Sequence, residues 1–108
     1  MTVFGDREKA LENKYIHDQE LVVKVTWRRR KLLALWAAQQ MKLGDEDALQ
    51  YALDIVRLSL KDKDEGGVVT RVKDDLIKAG VNASERDVRA KMDELHAQAR
   101  HEVVELGV

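Results

Sequence analysis

Three histidines, a run of four cations and one pair of adjacent glycines are the residues of this 108-residue chain whose types invite a chemical reading. His96 and His101 are five positions apart and His17 lies near the other end, whereas two metal ligands on one helical face stand three or four apart. A metal site is therefore not expected, and the histidines read as solvated surface. The chain has no cysteine, which removes thiolate nucleophiles and disulfides and fits a reducing compartment. Ser59 reads as helix surface and Ser84 as a helix cap, neither as a nucleophile. Carboxylates are plentiful, but they alternate with lysine and arginine as solvated helix faces do. Gly66 and Gly67 lack the Gly-Lys-Ser/Thr ending and the preceding strand of a phosphate loop. No catalytic residue and no cofactor are expected.

The cations Arg28, Arg29, Arg30 and Lys31 follow Trp27, a pairing that suggests phosphate contacts beside a stacking aromatic. On a helix, however, consecutive residues point about 100° apart, so the four cannot form one compact patch. Their stems are expected to cover tryptophan edges while the charged heads reach water or acidic helices. Trp36, between Leu33 and Ala37, reads as a core anchor, and Trp27 as a rim residue.

Binding chemistry of another kind is carried by the first eighteen residues. Phe4, Leu11 and Tyr15 are spaced seven and four apart, which places them on one helical stripe amid charges of both signs. So thin a stripe suits a marginal amphipathic helix that docks in another protein's groove. A frayed terminus is the other reading that spacing alone allows.

The elements that would carry this segment are helices. There is no proline, net charge is −1 from 19 basic and 20 acidic residues, and 44% of residues are apolar. One modest core, long helices and no global field toward nucleic acid or anionic membrane follow. No signal peptide is legible, and no apolar stretch approaches the ~20 residues of a membrane span, so a soluble intracellular protein is expected.

A first helix is expected from a cap at Asp6 to Lys42, with Val22, Val25, Leu32, Leu33, Trp36 and Leu43 inward and Gly44 as the left-handed residue after its end. The β-branched cluster Val22, Val23, Val25 and Thr26 is its weak point; a short strand there would have no partner. Residues 45–47 should cap a second helix with Ala48, Leu49, Ala52, Ile55, Val56 and Leu60 on its apolar face. Residues 61–67 read as the clearest loop. A third helix carries Val68, Val69, Val72, Leu76 and Ala79 and stops at Gly80. The fourth opens on an approximate capping box, Ser84 with Asp87, and carries Val88, Met92, Leu95, Ala99, Val103 and Leu106. The fold class is all-α, a four-helix bundle. At 1.5 Å per residue the first helix is ~55 Å long and the fourth only ~35 Å, so about 13 N-terminal residues should project or fold back. The expected domains are an arm, residues 1–18, and a four-helix body, residues 19–108.

The opening Phe4-Gly5-Asp6-Arg7-Glu8-Lys9-Ala10-Leu11-Glu12 and then Lys14-Tyr15-Ile16-His17-Asp18-Gln19-Glu20-Leu21 resemble the N-terminal signature of the zeta subunit of alpha-proteobacterial ATP synthases. The likeness continues through Arg28-Arg29, Lys31-Leu32-Leu33-Ala34-Leu35-Trp36-Ala37-Ala38 and Lys91-Met92-Asp93-Glu94-Leu95, nearly the whole chain. The family more often has phenylalanine at positions 11 and 15, alanine at 16 and asparagine at 30. The resemblance implies a four-helix inhibitor of ATP hydrolysis by the F-type ATP synthase, not an enzyme. It further implies an N-terminal helix wedged between an alpha and a beta subunit and against the gamma shaft, on the cytoplasmic side of the membrane. The protein-binding residues it implies are Phe4, Asp6, Arg7, Glu8, Lys9, Ala10, Leu11, Glu12, Lys14, Tyr15, His17 and Asp18. Two other readings remain open: a ligand-sensing module with weak ATP/ADP binding, for which no motif locates a pocket, and a nucleic-acid adaptor using residues 28–31.

Overall fold

The computed structural model describes residues 3–61 and 65–107, with side chains from residue 18 onward. Its elements are α1 (Val3–Gln40), α2 (Asp45–Lys61), α3 (Glu65–Lys78) and α4 (Glu85–Val104), and no strand occurs among the described residues. This is the expected all-α four-helix bundle. Residues 22–26 are helical despite their branched side chains, and the Thr26 hydroxyl turns back to donate to the Val22 carbonyl at 2.9 Å. With no neighbouring strand, the only way to satisfy that backbone is within the helix itself.

α1 is the axis of the molecule, packing chiefly on α2 and α4 and also touching α3. Its 38 residues make it about 57 Å long, in a molecule measuring 65 × 25 × 22 Å. The main core gathers Leu33, Ile55, Val68, Val72, Leu76 and Val88, all fully buried, around Ala34, Ala37 and Ala52. The alanines let α1 and α2 approach closely, and the leucine and valines fill the space among all four helices. A smaller cluster joins Val25 to Ala99 and Val103 of α4, with Leu21 and Leu32 at its edge. Leu21 is the most N-terminal side chain in either cluster among the described residues.

Several local expectations change. α1 is already helical at Val3, so Asp6 stands inside it and not at its cap. Val22 is 65% exposed because only the end of α4 covers α1 at that level, which leaves room for one narrow stripe. At the other end of α1 the left-handed residue is Lys42, with φ 59°, and not Gly44. The Leu43 N–H donates to the Ala38 carbonyl and the Lys42 N–H to that of Gln39, both at 3.0 Å, which closes a Schellman turn two residues early. Lys42 therefore lies beyond the last helical turn, Leu43 is exposed, and Gly44 supplies the carbonyl that accepts from Ala48 at the start of α2. Holding a lysine in that conformation costs about 1 kcal/mol, so Lys42→Gly should raise stability by about 0.5–1 kcal/mol in urea denaturation.

The expected loop at residues 61–67 is shorter, because Glu65, Gly66 and Gly67 form the first turn of α3. Glycine is costly in a helix interior and better tolerated in the opening turn. The lengthening also has a partner, since Glu65 meets two arginines of α1. Gly80, with φ 83°, ends α3 through the same Schellman pattern, leaving Ala79 exposed. The capping box of α4 is present in both directions: Asp87 N–H donates to Ser84 Oγ at 3.1 Å, and Ser84 N–H to Asp87 Oδ2 at 3.0 Å. α4 stops at Val104, so Leu106 leaves the buried stripe and is exposed. Ser59 is not surface but buried, its hydroxyl donating to the Val56 carbonyl at 2.6 Å.

α2 and α3 are tied by a polar contact as well as by the core. Tyr51 donates to Asp75 Oδ2 at 2.8 Å, and Arg71 donates to the same oxygen at 2.8 Å. Burial first, then the bond to Asp75 and its charge, push the Tyr51 phenol well above its ordinary range. In the unfolded chain this phenol ionises near pH 10, whereas in the fold it keeps its proton to higher pH. Its contribution is thus complete below pH ~10 and is lost as pH rises toward the folded value, at up to ~1.4 kcal/mol per pH unit. Urea midpoints at rising pH should fall more steeply for the wild type than for Tyr51→Phe, which itself costs about 1 kcal/mol at neutral pH.

Candidate protein-binding segment of the first helix

The residues singled out for binding all belong to α1, the longest element of the chain. Phe4, Asp6, Arg7, Glu8, Lys9, Ala10, Leu11, Glu12, Lys14, Tyr15 and His17 have helical backbone, but their side chains lie outside the described residues. The sequence also offers favourable charge pairs along this segment, Asp6 with Lys9, Lys9 with Glu12 and Lys14 with Asp18, each with at least one side chain outside the described residues. Asp18 is exposed on the turn before Leu21, where core packing starts.

Besides the core, the basic run ties this helix to the body. Arg28 Nε donates to Glu102 Oε2 of α4 at 2.6 Å, and Gln98 of α4 donates to the other oxygen of the same carboxylate at 3.2 Å. The Arg28 bond, more than any other influence, holds the Glu102 carboxyl below its ordinary range. Arg29 is hydrogen-bonded and ion-paired to Glu65 of α3, and its other terminal nitrogen lies 3.5 Å from His96 Nδ1 of α4. Arg30 is only 7% exposed and stands 4.0 Å from the same Glu65. Burial, and then the charge of Arg29, push the Arg30 guanidinium below its ordinary value. The Nε atoms of Arg29 and Arg30 are buried with no hydrogen-bond partner among the described residues.

Three successive arginines thus clamp α1 to two different helices, as a 100° step per residue requires. They do not share a face on which a phosphate backbone could lie. The acidic partners, Glu65 and Glu102, were not legible in the sequence, because no local rule links residues 36 and 74 positions apart. Trp36 packs against the main core as expected, with Lys91 Nζ 5.7 Å from its ring centroid, and Trp27 is on the rim.

Among the described residues no group of three or more His, Cys, Asp or Glu is placed to hold a metal ion. No helix among them is long and apolar enough to cross a membrane. Among the described residues the first helix is thus clamped near its middle to the other helices by the core and by the arginines. A family model described as ATPase inhibitor subunit zeta matches residues 1–102. The chain belongs to the ATPase inhibitor subunit zeta family. No curated protein matches the chain. The zeta-family match takes in every residue singled out for binding, and it ends at Glu102, the α4 partner of Arg28. Its membership makes an F-type ATPase the natural partner of this chain and inhibition its general role.

Proposed function

We propose that this chain inhibits ATP hydrolysis by the F-type ATP synthase, and that residues 1–18 of α1 do so by entering the catalytic head. They insert between an alpha and a beta subunit and against the gamma shaft, which blocks rotation in the hydrolysing direction. Residues 19–108 are the body that carries the arm, on the cytoplasmic side of the membrane. The chain acts by binding and performs no catalysis of its own.

The observation that carries this reading is the match of residues 1–102 to an inhibitor-subunit family. Two physical features support it. Among the described residues, Leu21 is the most N-terminal side chain of the two core clusters, so none of the core that is described depends on residues 1–18. An isolated helix of under ~12–15 residues is marginal in water, and burying an apolar stripe on a partner is one way for such a segment to be ordered. The stripe Phe4, Leu11 and Tyr15 supplies the buried area, and Arg7, Glu8, Lys9, Glu12 and Lys14 set register and specificity.

Titrating the purified chain into its cognate ATPase tests the reading. Hydrolysis should fall saturably with added chain. Full hydrolysis at saturating amounts would refute it.

A further inference from the structure

α2 carries two apolar stripes, and the bundle uses one of them. Ala52, Ile55 and Ser59 are buried against the other helices. Leu49, Leu53, Val56 and Leu60 follow at spacings of four, three and four, the rhythm of a coiled-coil seam, and lie on the neighbouring strip of the helix. Leu49, Leu53 and Leu60 are 54%, 48% and 60% exposed, and Trp27 on the adjoining part of α1 is 47% exposed. Among α1, α2 and the end of α4 the surface sinks into a cavity of about 530 Å³, whose lining includes Leu21, Trp27, Val56 and Val103 together with Lys24 and Lys31. A second hollow of about 410 Å³ shares Lys31 and Val56 and continues along Leu49 and Leu53. Contiguous apolar surface of this kind is uncommon on a free-standing face.

The charges along the α1 border of the seam are of one sign, whereas the outer edge of α2 is mixed, with Glu46 and Asp54 beside Arg57 and Lys61. Lys24, Arg28 and Lys31 border it from α1, and the exposed Arg57 and Lys61 follow it on the outer edge of α2. Arg28 is neutralised by Glu102, and Arg57 faces Asp54 at 3.9 Å. Lys24, Lys31 and Lys61 have no ion pair among the described residues. On a chain whose net charge is −1, this face is locally cationic along the α1 side of its apolar stripe.

We infer that the α1–α2 face is a docking surface for an acidic amphipathic helix of a partner protein. From Leu49 to Leu60 the seam is about 17 Å long, which fits some three turns of an incoming helix. Its apolar stripe, at spacings of three and four, would lie along the leucines and cover Trp27. Aspartate or glutamate on its flank toward α1 would meet Lys24 and Lys31. A second copy of this chain fits less well, since Lys31 stands beside the middle of the seam and a two-fold pairing would bring it against its equivalent. The surface lies on the body, apart from residues 1–18, and its test is independent of the inhibitor reading.

The full chain, isotope-labelled, is titrated with two synthetic helical peptides of about 14 residues that share one leucine stripe. One peptide has glutamates on its flanks, the other lysines. The glutamate peptide should shift the amide signals of residues 24–31 and 49–61, with a Kd that rises as salt is added. Leu53→Gln and Lys24→Glu, both at exposed positions, should each weaken it about tenfold without changing the circular dichroism. An absence of shifts at millimolar glutamate peptide, or an equal response to the lysine peptide, would overturn the inference. So would a concentration-dependent dimer abolished by Leu53→Gln, which would assign the face to a second copy.

Discussion

A chain lacking residues 1–18 is expected to fold and to leave ATP hydrolysis uninhibited. The energetic case rests on where the core begins. Leu21, Val25 and Leu33 fasten α1 to the other helices, and all lie C-terminal to the cut. Circular dichroism and the thermal transition of the truncated chain should therefore stay close to those of the full chain. The arm, by contrast, has its whole value in the complex. Fully burying Phe4, Leu11 or Tyr15 is worth about 1.5–3 kcal/mol each, against which the ordering of the segment is set. The favourable pairs along it contribute only ~0.2–0.5 kcal/mol apiece. Single changes such as Phe4→Ala or Tyr15→Ala should thus weaken inhibition about 10- to 100-fold, and the deletion should remove it. Measuring ATPase rates against added chain separates the outcomes. Undiminished inhibition by the truncated chain would move the inhibitory surface to the body.

Glu65→Gln should be the most damaging single change at a charged position, lowering stability by about 2–3 kcal/mol. One carboxylate serves Arg29 and Arg30, the second of them almost wholly buried. Both arginines already carry a buried Nε without a partner among the described residues, so little is left to absorb a further loss. Removing one partner of a buried pair costs about 3–5 kcal/mol when both are enclosed, and the partial exposure of Glu65 reduces that figure. For a chain of this size the melting temperature should fall by about 10 °C or more. Arg71→Ala, at a more exposed pair, should change it by only a few degrees. If Glu65→Gln proves as mild as Arg71→Ala, the clamp between α1 and α3 contributes little and the apolar core alone holds α1.

The stripe of α4 shows how far local rules reach. Val88, Met92, Leu95, Ala99 and Val103 are spaced by three and four and are all buried, and the Ser84–Asp87 box opens the helix as its residue types require. Both depend only on atoms within a few residues of each other. The α1–α2 junction shows where such rules mislead. Glycine is the preferred left-handed residue, which pointed to Gly44, but ending α1 there would carry the helix past the point where α2 must turn back. Lys42 takes the strained position, and Gly44 is left to open α2.

By itself the sequence determined the class and count of helices, the inward stripe of α4 and the family. Periodicity, capping and the absence of proline act within one helix, and the signature residues are written in order along the chain. The tertiary structure decided which of two apolar stripes on α2 faces inward. It turned Ala52, Ile55 and Ser59 inward, against the alanines of α1, and this left Leu49, Leu53 and Leu60 outside. It also decided what the basic run is for, since the carboxylates that meet Arg28, Arg29 and Arg30 come from α4 and α3. Such pairings depend on how helices cross, and a linear pattern holds no record of that until the core has packed.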